Sequence, residues 1–548
     1  MTPKYMLRRH FLTSLLAGIP IVTLDWESFP KGKNDAGKAQ AKGSAYDAVI
    51  IGAGLGGLSC AAAFVRQGFR PLVVEKHDKP GGYATTFKRP GGFVFDASLH
   101  STTVGERNGV RDLIPGFPEI KGIEFVPHST LYRVIFPDYD IRVPNRNLAG
   151  YVADLAARFP DEKPGIEGLF TDMQGLASDV GRISAARGNV DMSRFAQDYP
   201  FLVKTFGKPW GAMADARLKN PKLKAVVSAL WGYFGLPPSR LSTFYYALPT
   251  IGYLQEGGFY PIGRSQKMSD AFSKYIEDGG GKVMLRTRVE KILVKDGVAF
   301  GVRTDDGREY TGKVVVSNAN APDTFRKMLD EPDLVKATLT RMDKLSISLS
   351  TFQVFLGLKK DLVRETGIKD TEIFYNTGYD IEADYEGMVR GDFTNPGFGV
   401  TLYDNLYKGY SPPGKNTLSI MTLQGFGHWE KYEADYFAGR KDAYRAEKER
   451  MADILIDQAE KVVLPGLRKA IEVREVATPL TNVRYTANTR GAIYGWDQTL
   501  DNSGQGRFPQ RTPVKNLYLA GAWTFPGGGY GACIPSGLQA FAQIMQDW

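Results

Sequence analysis

The sequence predicts an α/β protein in which a discontinuous domain built on a parallel sheet carries an inserted mixed α+β domain. Two observations lead to this fold class. A strand, a glycine-rich turn, a helix and a second strand follow one another within about thirty residues from Tyr46. Apolar strands that fit the same sheet recur far downstream. With 548 residues, 43% of them hydrophobic, the chain can bury the cores of two or more domains.

Residues 1–44 are expected to form an export signal and a linker. Arg8 to Leu12 has the twin-arginine (Tat) pattern, and Phe11 to Leu24 is an apolar stretch too short to span a membrane comfortably. Ala39 to Ala41 offers a small-residue cleavage site far from that stretch, so a retained N-terminal anchor is the alternative. A chance Arg-Arg pair before a buried helix is the third interpretation. We expect export by the Tat route, to a periplasmic or membrane-associated location.

Three segments after the linker form a βαβ unit. Tyr46–Ile51 is predicted to be a buried parallel strand, Leu58–Gln67 an alanine-rich helix and Pro71–Glu75 the second strand. Glu75, at the end of that strand, is placed to accept hydrogen bonds from the ribose hydroxyls of an adenosine. The unit therefore predicts a dinucleotide site.

The turn between the first strand and the helix carries the phosphate-binding pattern Gly-x-Gly-x-x-Gly, in Gly52-Ala53-Gly54-Leu55-Gly56-Gly57. Its first glycine permits the tight turn, and its second lets the backbone approach a pyrophosphate at the helix N-terminus. Gly57 lets the helix pack closely on the strand. This pattern alone does not choose between FAD and NAD.

Further elements of the same domain are expected downstream. Lys267–Glu277 is predicted to be a helix, and the hairpin turn Asp305-Asp306-Gly307 is predicted between two strands. The predicted strands are Lys282–Leu285, Val289–Val294, Phe300–Thr304, Lys313–Val316 and Leu517–Gly521.

Composition and charge argue against several classes of function. The formal net charge is +9, but the 69 Lys and Arg residues are dispersed among 60 Asp and Glu residues, so no nucleic-acid partner is expected. Two cysteines, Cys60 and Cys533, do not make a disulfide framework. The five histidines show no ligand spacing, so no metal site is expected.

Two later blocks resemble the other cofactor motifs of the flavin amine oxidase and phytoene desaturase superfamily. The first block begins at Lys76, contains the doublet Gly81-Gly82 and runs to Asp96. The second block runs from Asn516 to Gly537. In the family pattern, the glycine doublet lets the chain pass over the diphosphate and flavin, and the second block closes the site.

Shorter matches narrow the resemblance to the branch of phytoene desaturases, carotenoid isomerases and retinol saturases. They lie at residues 258–263, 316–319, 477–481, 484–486 and 491–495. The resemblance covers the chain from about Tyr46 to its end. One departure is Asp96-Ala97-Ser98, which stands where many relatives carry Asp-x-Gly and leaves the backbone placement before the flavin ring open.

The resemblance implies a Rossmann-like FAD-binding domain of the three-layer ββα type with an inserted mixed α+β substrate domain. Residues 45–110, 261–325 and 475–548 are expected to form the FAD-binding domain, and residues 111–260 and 326–474 the substrate or lid domain. FAD is the implied cofactor. Its implied binding residues are Gly52, Ala53, Gly54, Gly56, Gly57, Glu75, Lys76, Gly81, Gly82, Val289, Gly521, Ala522, Pro535 and Ser536.

The implied reaction is desaturation, saturation or isomerisation at the C–C bonds of an apolar polyene, carotenoid-like or retinoid-like, or of a similar lipid. Quinone or oxygen is the expected electron acceptor. The final helix, expected from Pro535, would aim its N-terminus at the flavin and stabilise the anionic reduced ring. One alternative is a flavin amine oxidase-like enzyme, which usually needs a lysine near the flavin that the sequence does not identify. Another is a non-catalytic flavin-binding protein.

Candidate catalytic residues are few. His100, four residues beyond Asp96, is placed to act as an acid or base near neutral pH, although a purely structural hydrogen-bonding role is the alternative. Tyr494, Trp523 and Tyr530 are expected to line the cavity beside the flavin, with core packing as their alternative.

A basic and aromatic segment from Arg194 to Lys224 suggests a peripheral membrane contact. Seven basic residues there outnumber Asp198 and Asp215 and interleave with aromatic residues. This pattern is typical of an interfacial helix through which a lipid substrate enters, and also of a solvated helix over a core.

Overall fold

A computed structural model of the chain describes residues 26–32, 46–107, 110–114, 116–186 and 190–548. The helices of these residues, numbered in chain order, are α1 (Leu55–Arg66), α2 (Leu148–Arg158), α3 (Lys163–Ala185), α4 (Phe195–Asp198), α5 (Pro200–Thr205), α6 (Trp210–Asp215), α7 (Pro221–Val227), α8 (Thr243–Glu256), α9 (Arg264–Asp278), α10 (Ala321–Arg326), α11 (Pro332–Met342), α12 (Leu362–Thr366), α13 (Ile381–Arg390), α14 (Gly427–Phe437), α15 (Asp442–Val462), α16 (Leu467–Ala470), α17 (Pro479–Thr486) and α18 (Tyr530–Asp547).

The strands are β1 (Tyr46–Ile51), β2 (Pro71–Val74), β3 (Thr86–Lys88), β4 (Val94–Asp96), β5 (Gly105–Arg107), β6 (Val110–Leu113), β7 (Phe125–Pro127), β8 (Thr130–Ile135), β9 (Asp140–Pro144), β10 (Phe259–Pro261), β11 (Lys282–Met284), β12 (Val289–Lys295), β13 (Val298–Thr304), β14 (Glu309–Ser317), β15 (Ser350–Leu358), β16 (Glu372–Tyr375), β17 (Phe398–Leu402), β18 (Asn416–Gln424), β19 (Ile471–Ala477) and β20 (Leu517–Leu519).

The first sheet grows around the predicted βαβ unit. Strands β11, β2, β1 and β14 pair in that order and in parallel, and β20 adds to β14, also in parallel. The first residues of β14 pair with β13, which pairs with β12, both antiparallel. Strands from three separated stretches of the chain thus meet in one sheet. The predicted Rossmann-like α/β fold class is confirmed.

The strands of this sheet are apolar on both sides, so both faces must be covered. Helices cover one face. The four residues Ala48 to Ile51 of β1 are buried, and α1, α9 and α18 share a core cluster with the sheet. Helices α1 and α18 approach very closely at Gly537, where a Cβ would lie 2.0 Å from Ser59 Oγ. The β12–β14 hairpins face a second core on the other side, which completes the three layers.

The second sheet belongs to the inserted segments. Its strand order is β19-β15-β18-β17-β16-β8-β9, and all neighbours are antiparallel except β16 and β8. Strands β15 and β18 pair over their full length, from Ser350 opposite Gln424 to Leu358 opposite Asn416. One core joins the sheet to α14 and α15, and another joins it to the helical lobe α2–α8. The expected domain boundary at 474/475 falls inside β19.

Residues Trp26–Gly32 pack on the first domain. The Trp26 ring lies 6.0 Å from the Phe541 ring between centroids, and the Arg66 guanidinium lies 4.1 Å from the centre of the Trp26 ring. The Gly32 N–H donates to the Gln67 carbonyl at 2.7 Å. The expected Tat pattern, apolar stretch and cleavage site lie outside the described residues. Among the described residues, no helix is long and apolar enough to cross a membrane.

The segment from Arg194 to Lys224 is not the single helix that its pattern suggested, and membrane contact there stays a prediction. The segment forms four short helices, α4–α7, because prolines at 200, 209 and 221 interrupt it. Phe195 and Trp210 are buried in the helical lobe. Five of the basic residues lie within ion-pair distance of carboxylates: Arg194, Lys204, Arg217, Lys222 and Lys224.

Candidate functional site

The glycine turn after β1 begins the candidate site. Gly52 has φ +91°, a left-handed conformation that favours glycine, and helix α1 begins at Leu55, three residues earlier than predicted. No side chain caps the start of α1, so its first N–H groups remain available to an anion. A Cβ at Gly57 would lie 2.1 Å from the Gly52 carbonyl oxygen. Helix and strand therefore meet only because residue 57 has no side chain.

Glu75 stands beside this turn, as the spacing predicted. The Ala53 N–H donates to Glu75 Oε2 at 2.7 Å, and the His77 N–H donates to Oε1 at 2.8 Å. The carboxylate is thus fixed by two backbone donors while it lines the cavity. Lys76, also on the lining, has its pKa lowered by burial, against the opposing effect of the Glu75 charge.

The second glycine block passes directly over the first. The Gly81 N–H donates to the Ala53 carbonyl at 2.7 Å, and a Cβ at Gly82 would lie 3.4 Å from the Gly54 Cα. Gly82 has φ +62°. The two blocks, separated in sequence, form one continuous backbone cradle.

The third block closes the cradle from the other side. The Gly521 N–H donates to Ser536 Oγ at 3.0 Å, and this hydroxyl donates to the Phe525 carbonyl at 2.7 Å. A Cβ at Gly56 would lie 2.7 Å from the Gly521 Cα. The first and third motifs are therefore in contact.

The expected start of the final helix at Pro535 is wrong. Helix α18 begins at Tyr530 and carries Pro535 inside it. The N–H groups of Ala532 and Cys533 already bond to the Gly529 carbonyl, so the first turn forms before the proline. Tyr530 and Pro535 both line the cavity, and the N-terminus of α18 still faces it.

The cavity that these blocks border has a volume of about 1590 Å³. This exceeds the roughly 300–1,000 Å³ of a usual small-molecule pocket and leaves room for a dinucleotide and a second molecule. Most of the predicted cofactor-binding residues line it: Gly52, Gly54, Gly56, Glu75, Lys76, Gly81, Gly82, Val289, Ala522 and Pro535. Ala53, Gly57, Gly521 and Ser536 stand behind this lining and hold it through the contacts described above. We call this part of the cavity the dinucleotide portion.

A second part of the lining is apolar and comes from the helical lobe and from residues 493–494. Its residues are Leu230, Tyr233, Phe234, Phe244, Tyr245, Leu248, Ile493 and Tyr494, and we call it the apolar portion. Tyr494 lies where the sequence placed it, and its hydroxyl donates to the Gly232 carbonyl at 3.3 Å. Burial raises the pKa of Tyr494. Trp523 and Tyr530 also line the cavity.

His100 lies on the cavity lining and contacts a carboxylate that the sequence did not reveal. His100 Nδ1 lies 2.9 Å from Glu372 Oε2, and the Tyr233 hydroxyl lies 3.4 Å from the same nitrogen. Burial opposes protonation of the imidazole, but the charge and hydrogen bond of Glu372 outweigh it and hold the pKa of His100 above its ordinary value. Glu372 opens strand β16 of the second sheet, and no local pattern marks an acid there.

Asp96, in the segment that departs from the family pattern, is buried behind the lining. It accepts hydrogen bonds from the hydroxyls of Tyr260, Ser265 and Tyr410 and from the Ser265 N–H at 3.1 Å. Burial raises the pKa of Asp96 to about 6. The carboxylate thus joins strand β4 to the first turn of α9.

Arg507 is a second buried group that the sequence did not reveal. Its guanidinium donates to the carbonyls of Trp496 and Ala522, both at 2.8 Å. Burial lowers the pKa of Arg507 to about 10, so it stays charged at neutral pH. The group supports the backbone of the third block from behind.

No cluster of three or more His, Cys, Asp or Glu side chains suited to a metal ion occurs within the described residues. Both cysteines are free. The chemistry that the site offers is therefore that of a bound dinucleotide, an apolar wall and the His100–Glu372 pair.

Comparison with known proteins shows that the chain matches one protein family over most of its length. The model of the family described as flavin containing amine oxidoreductase matches residues 55–545. The chain is similar to the chloroplastic prolycopene isomerase of Arabidopsis thaliana, with 26% identity over 94% of this chain and 84% of that protein. It is 28% identical to the neurosporene-forming phytoene desaturase of Rhodobacter capsulatus over 91% of this chain and 94% of that protein.

Other similarities agree with the fold. The all-trans-retinol 13,14-reductase of Danio rerio is 26% identical over 87% of this chain and 82% of that protein. An oxidoreductase structure from Methanosarcina mazei matches with TM-score 0.60 and 18% identity, over 91% of this chain and 99% of that chain. A putrescine oxidase structure with bound putrescine matches with TM-score 0.58 and 16% identity, over 92% and 99%. These structures support the fold alone.

Proposed function

The chain belongs to the flavin-containing amine oxidoreductase family and is an FAD-dependent oxidoreductase, and on this basis we propose that it acts on the C–C bonds of an apolar polyene. The observation that carries the proposal is the apolar portion of the cavity, which adjoins the dinucleotide portion. The relatives' names include an isomerase, a desaturase and a reductase. Isomerisation, desaturation and saturation are therefore the three reactions to distinguish.

The residues of the dinucleotide portion fit FAD. The Gly52–Gly57 turn and the start of α1 suit a pyrophosphate, and the fixed Glu75 carboxylate suits ribose hydroxyls. The Gly81-Gly82 doublet and Gly521 leave the backbone close to the bound group. FAD, when bound, accepts or donates a hydride. The residues named here bind it and orient it.

The apolar portion suits a long hydrocarbon. Aromatic and aliphatic side chains there offer contact without the charged partners that an amine requires. Tyr494 belongs to this wall, and we assign it substrate contact. Leu230 and Phe234 of this wall are buried, whereas its other six residues are partly exposed to the cavity.

An amine is the second candidate substrate. The family description names amine oxidoreductases, and the putrescine oxidase structure shares the fold. A positively charged amine would need its desolvation offset by a carboxylate, and Glu372 is occupied by His100. The polyene is therefore the substrate that we place first.

The electron acceptor is proposed to be a quinone or oxygen, and the enzyme is proposed to be exported and membrane-associated. The packing of Trp26–Gly32 on Phe541, Arg66 and Gln67 supports retention of the N-terminal segment, because cleavage after Ala41 would remove this contact. Intact-mass spectrometry of the exported protein tests this. We expect a mass that includes Trp26, and an N-terminus at or after residue 42 would contradict it.

The proposed function is tested by mixing the FAD-loaded protein anaerobically, with its flavin oxidised and in a parallel sample chemically reduced, with all-trans-retinol, phytoene, prolycopene and, separately, putrescine. We expect a polyene, and not putrescine, to change the visible absorbance of the bound flavin or to be converted while that absorbance stays constant. Loss of the visible absorbance of the flavin with putrescine, and with none of the polyenes, would show that the substrate is an amine. No response and no conversion with any of them would favour a non-catalytic flavin-binding protein.

A further inference from the structure

We infer that His100 transfers a proton to or from a carbon of the bound substrate through Nε2, and that Glu372 positions His100 for this role. The inference rests on the proposed function and deepens it, because it names the residue that handles the proton accompanying hydride transfer. His100 would be a catalytic residue, and Glu372 a positioning residue.

The contacts of the imidazole leave one nitrogen for the substrate. Glu372 Oε2 lies 2.9 Å from Nδ1, and the Tyr233 hydroxyl lies 3.4 Å from it. The Tyr233 ring lies 5.2 Å from the imidazole between centroids. Because the polar contacts use Nδ1, Nε2 is the nitrogen that can meet a molecule in the cavity that His100 lines.

The groups around His100 favour its protonated form. Glu372 is its counter-charge, and Tyr233, Tyr253 and His128 are the other titratable side chains nearby. Burial, with a further effect from His100, lowers the pKa of His128 to about 3, so His128 stays neutral near neutral pH. Burial raises the pKa of Tyr233 and of Tyr253. The net result is a pKa of His100 above its ordinary value.

The burial of Glu372 indicates a role beyond packing. Its side chain is 2% exposed, and Oε1 has no hydrogen-bond partner within the part of the chain that the structure describes. Burial of an ionised carboxylate is strongly unfavourable unless a cation offsets it. A neutral amide would satisfy Nδ1 without that cost. The carboxylate therefore suits an imidazole that carries a proton.

The proton transfer balances for the proposed reactions. In saturation, protonated His100 would be the acid: the Nε2–H bond would break and a C–H bond would form at one alkene carbon, while the neighbouring carbon would receive a hydride from bound reduced FAD. The substrate would gain two electrons and His100 would become neutral. In desaturation, neutral His100 would be the base: one C–H bond would break with its proton going to Nε2, and the hydride from the neighbouring carbon would pass to bound oxidised FAD with the two electrons. In isomerisation, the proton added to a carbon returns to Nε2.

The first test measures the titration of His100 and needs no substrate. NMR of the FAD-loaded protein with ¹³C-labelled histidine is recorded against pH, and His100→Gln identifies the His100 signal among the five histidines. We expect the pKa of His100 to lie above 6.5, the ordinary value, and to fall in Glu372→Gln. The matched control is Glu447→Gln, which removes the carboxylate 2.8 Å from His428 Nε2 in a second pair. Neither member of that pair lines the cavity.

The second test uses whichever polyene the wild type converts. General acid–base catalysis is typically worth about 10²–10⁴-fold, so we expect His100→Gln to lower kcat by roughly 100-fold or more with KM changed less than about threefold. Glu372→Gln should shift the pH profile of kcat toward lower pH. His428→Gln should change neither kcat nor the pH profile.

The outcomes separate this inference from the proposed function. A pKa of His100 that stays the same in Glu372→Gln, or a kcat that survives in His100→Gln, overturns the inference while the polyene chemistry stands. If the wild type converts no polyene, the proposed function fails and the proton transfer to substrate fails with it. The titration of His100 then tests only whether Glu372 raises the pKa of His100.

Discussion

The two portions of the cavity are built by different means. The dinucleotide portion is made largely of backbone, where Gly56, Gly82 and Gly521 let the three glycine blocks meet without side chains between them. The apolar portion is made of side chains from the helical lobe and from residues 493–494, with His100 and Glu372 beside it. Backbone contacts require glycine at fixed places, whereas an apolar wall requires only bulk. The cofactor site is therefore far more sensitive to single small substitutions than the substrate site.

The largest expected effect is at Gly57. A Cβ in Gly57→Ala would lie 2.1 Å from the Gly52 carbonyl oxygen, and overpacking of this kind costs about 1–3 kcal/mol. We expect FAD affinity to fall by roughly 100-fold, which equilibrium dialysis with FAD would measure. The matched control is Gly181→Ala in helix α3, where a Cβ would meet nothing within 4 Å. FAD affinity should not change there, and equal losses in both variants would contradict the comparison.

The next effect concerns Asp96, which lies behind the boundary of the two portions. Burial raises its pKa to about 6 from 3.8, so the folded protein binds this proton more tightly than the unfolded chain. The resulting stability is fully present below pH 3.8 and is lost as pH rises through 6. It amounts to roughly 3 kcal/mol.

Asp96→Asn tests this dependence. We expect thermal unfolding midpoints of the wild type, relative to Asp96→Asn, to fall between pH 4 and pH 7 because only the wild type loses the proton. The Asp305→Asn variant, at an exposed acid outside the cavity lining, is the control and should show the same pH dependence of the unfolding midpoint as the wild type. If the unfolding midpoint of the wild type, relative to that of Asp96→Asn, rose with pH instead, the raised pKa of Asp96 would be contradicted.

A smaller effect is expected at Glu75. In Glu75→Gln, the amide oxygen can keep one of the two backbone donors, Ala53 or His77, but the charge and one acceptor are lost. Hydrogen bonds to charged groups contribute about 1.5–3 kcal/mol, so FAD affinity should fall by about tenfold or more, short of the Gly57→Ala loss. Exposed Glu290→Gln on β12 is the control. Unchanged affinity in Glu75→Gln would remove Glu75 from the cofactor site.

The smallest effect on the cofactor is expected in the apolar portion. Leu230→Trp adds bulk to the cavity wall and should raise KM for a polyene by about tenfold, since a few lost methylene contacts are worth about 1–3 kcal/mol. FAD content should stay at the wild-type level. Flavin absorbance per protein and steady-state kinetics measure the two quantities. Loss of FAD in Leu230→Trp would show that the portions are not separable.

The sequence places most residues of the dinucleotide portion at the cavity because their positions depend on local chain geometry. The turn at Gly52 and the acid at Glu75 lie within one βαβ unit, and the doublet at Gly81 follows that unit by a few residues, so their relative positions are fixed nearby in the chain. The third block was recognisable by its glycines. The start of α18 was misplaced because proline is common in the first turn of a helix, whereas Pro535 lies later.

Apart from Tyr494, the apolar portion and the carboxylate partner of His100 could not be predicted, for physical reasons. His100 and Glu372 lie 272 positions apart and meet because the second sheet places β16 against the cavity, which depends on the parallel pairing of β16 with β8. A pattern of basic and aromatic residues also does not distinguish an interfacial helix from a segment such as α4–α7, which is divided into short helices and whose basic residues are ion-paired. Arg507 has no sequence signal, because its partners are backbone carbonyls.

The most direct test of the central claim, FAD-dependent chemistry on a polyene, is product analysis after anaerobic single turnover. The FAD-loaded wild type is incubated with each of the three polyenes, with its flavin oxidised or chemically reduced, and the recovered lipid is analysed by chromatography and mass spectrometry. We predict a product that has gained or lost two hydrogens, or has changed geometry at constant mass, and that is absent with Gly57→Ala. Polyenes recovered unchanged in both flavin states, with putrescine oxidised instead, would contradict the account.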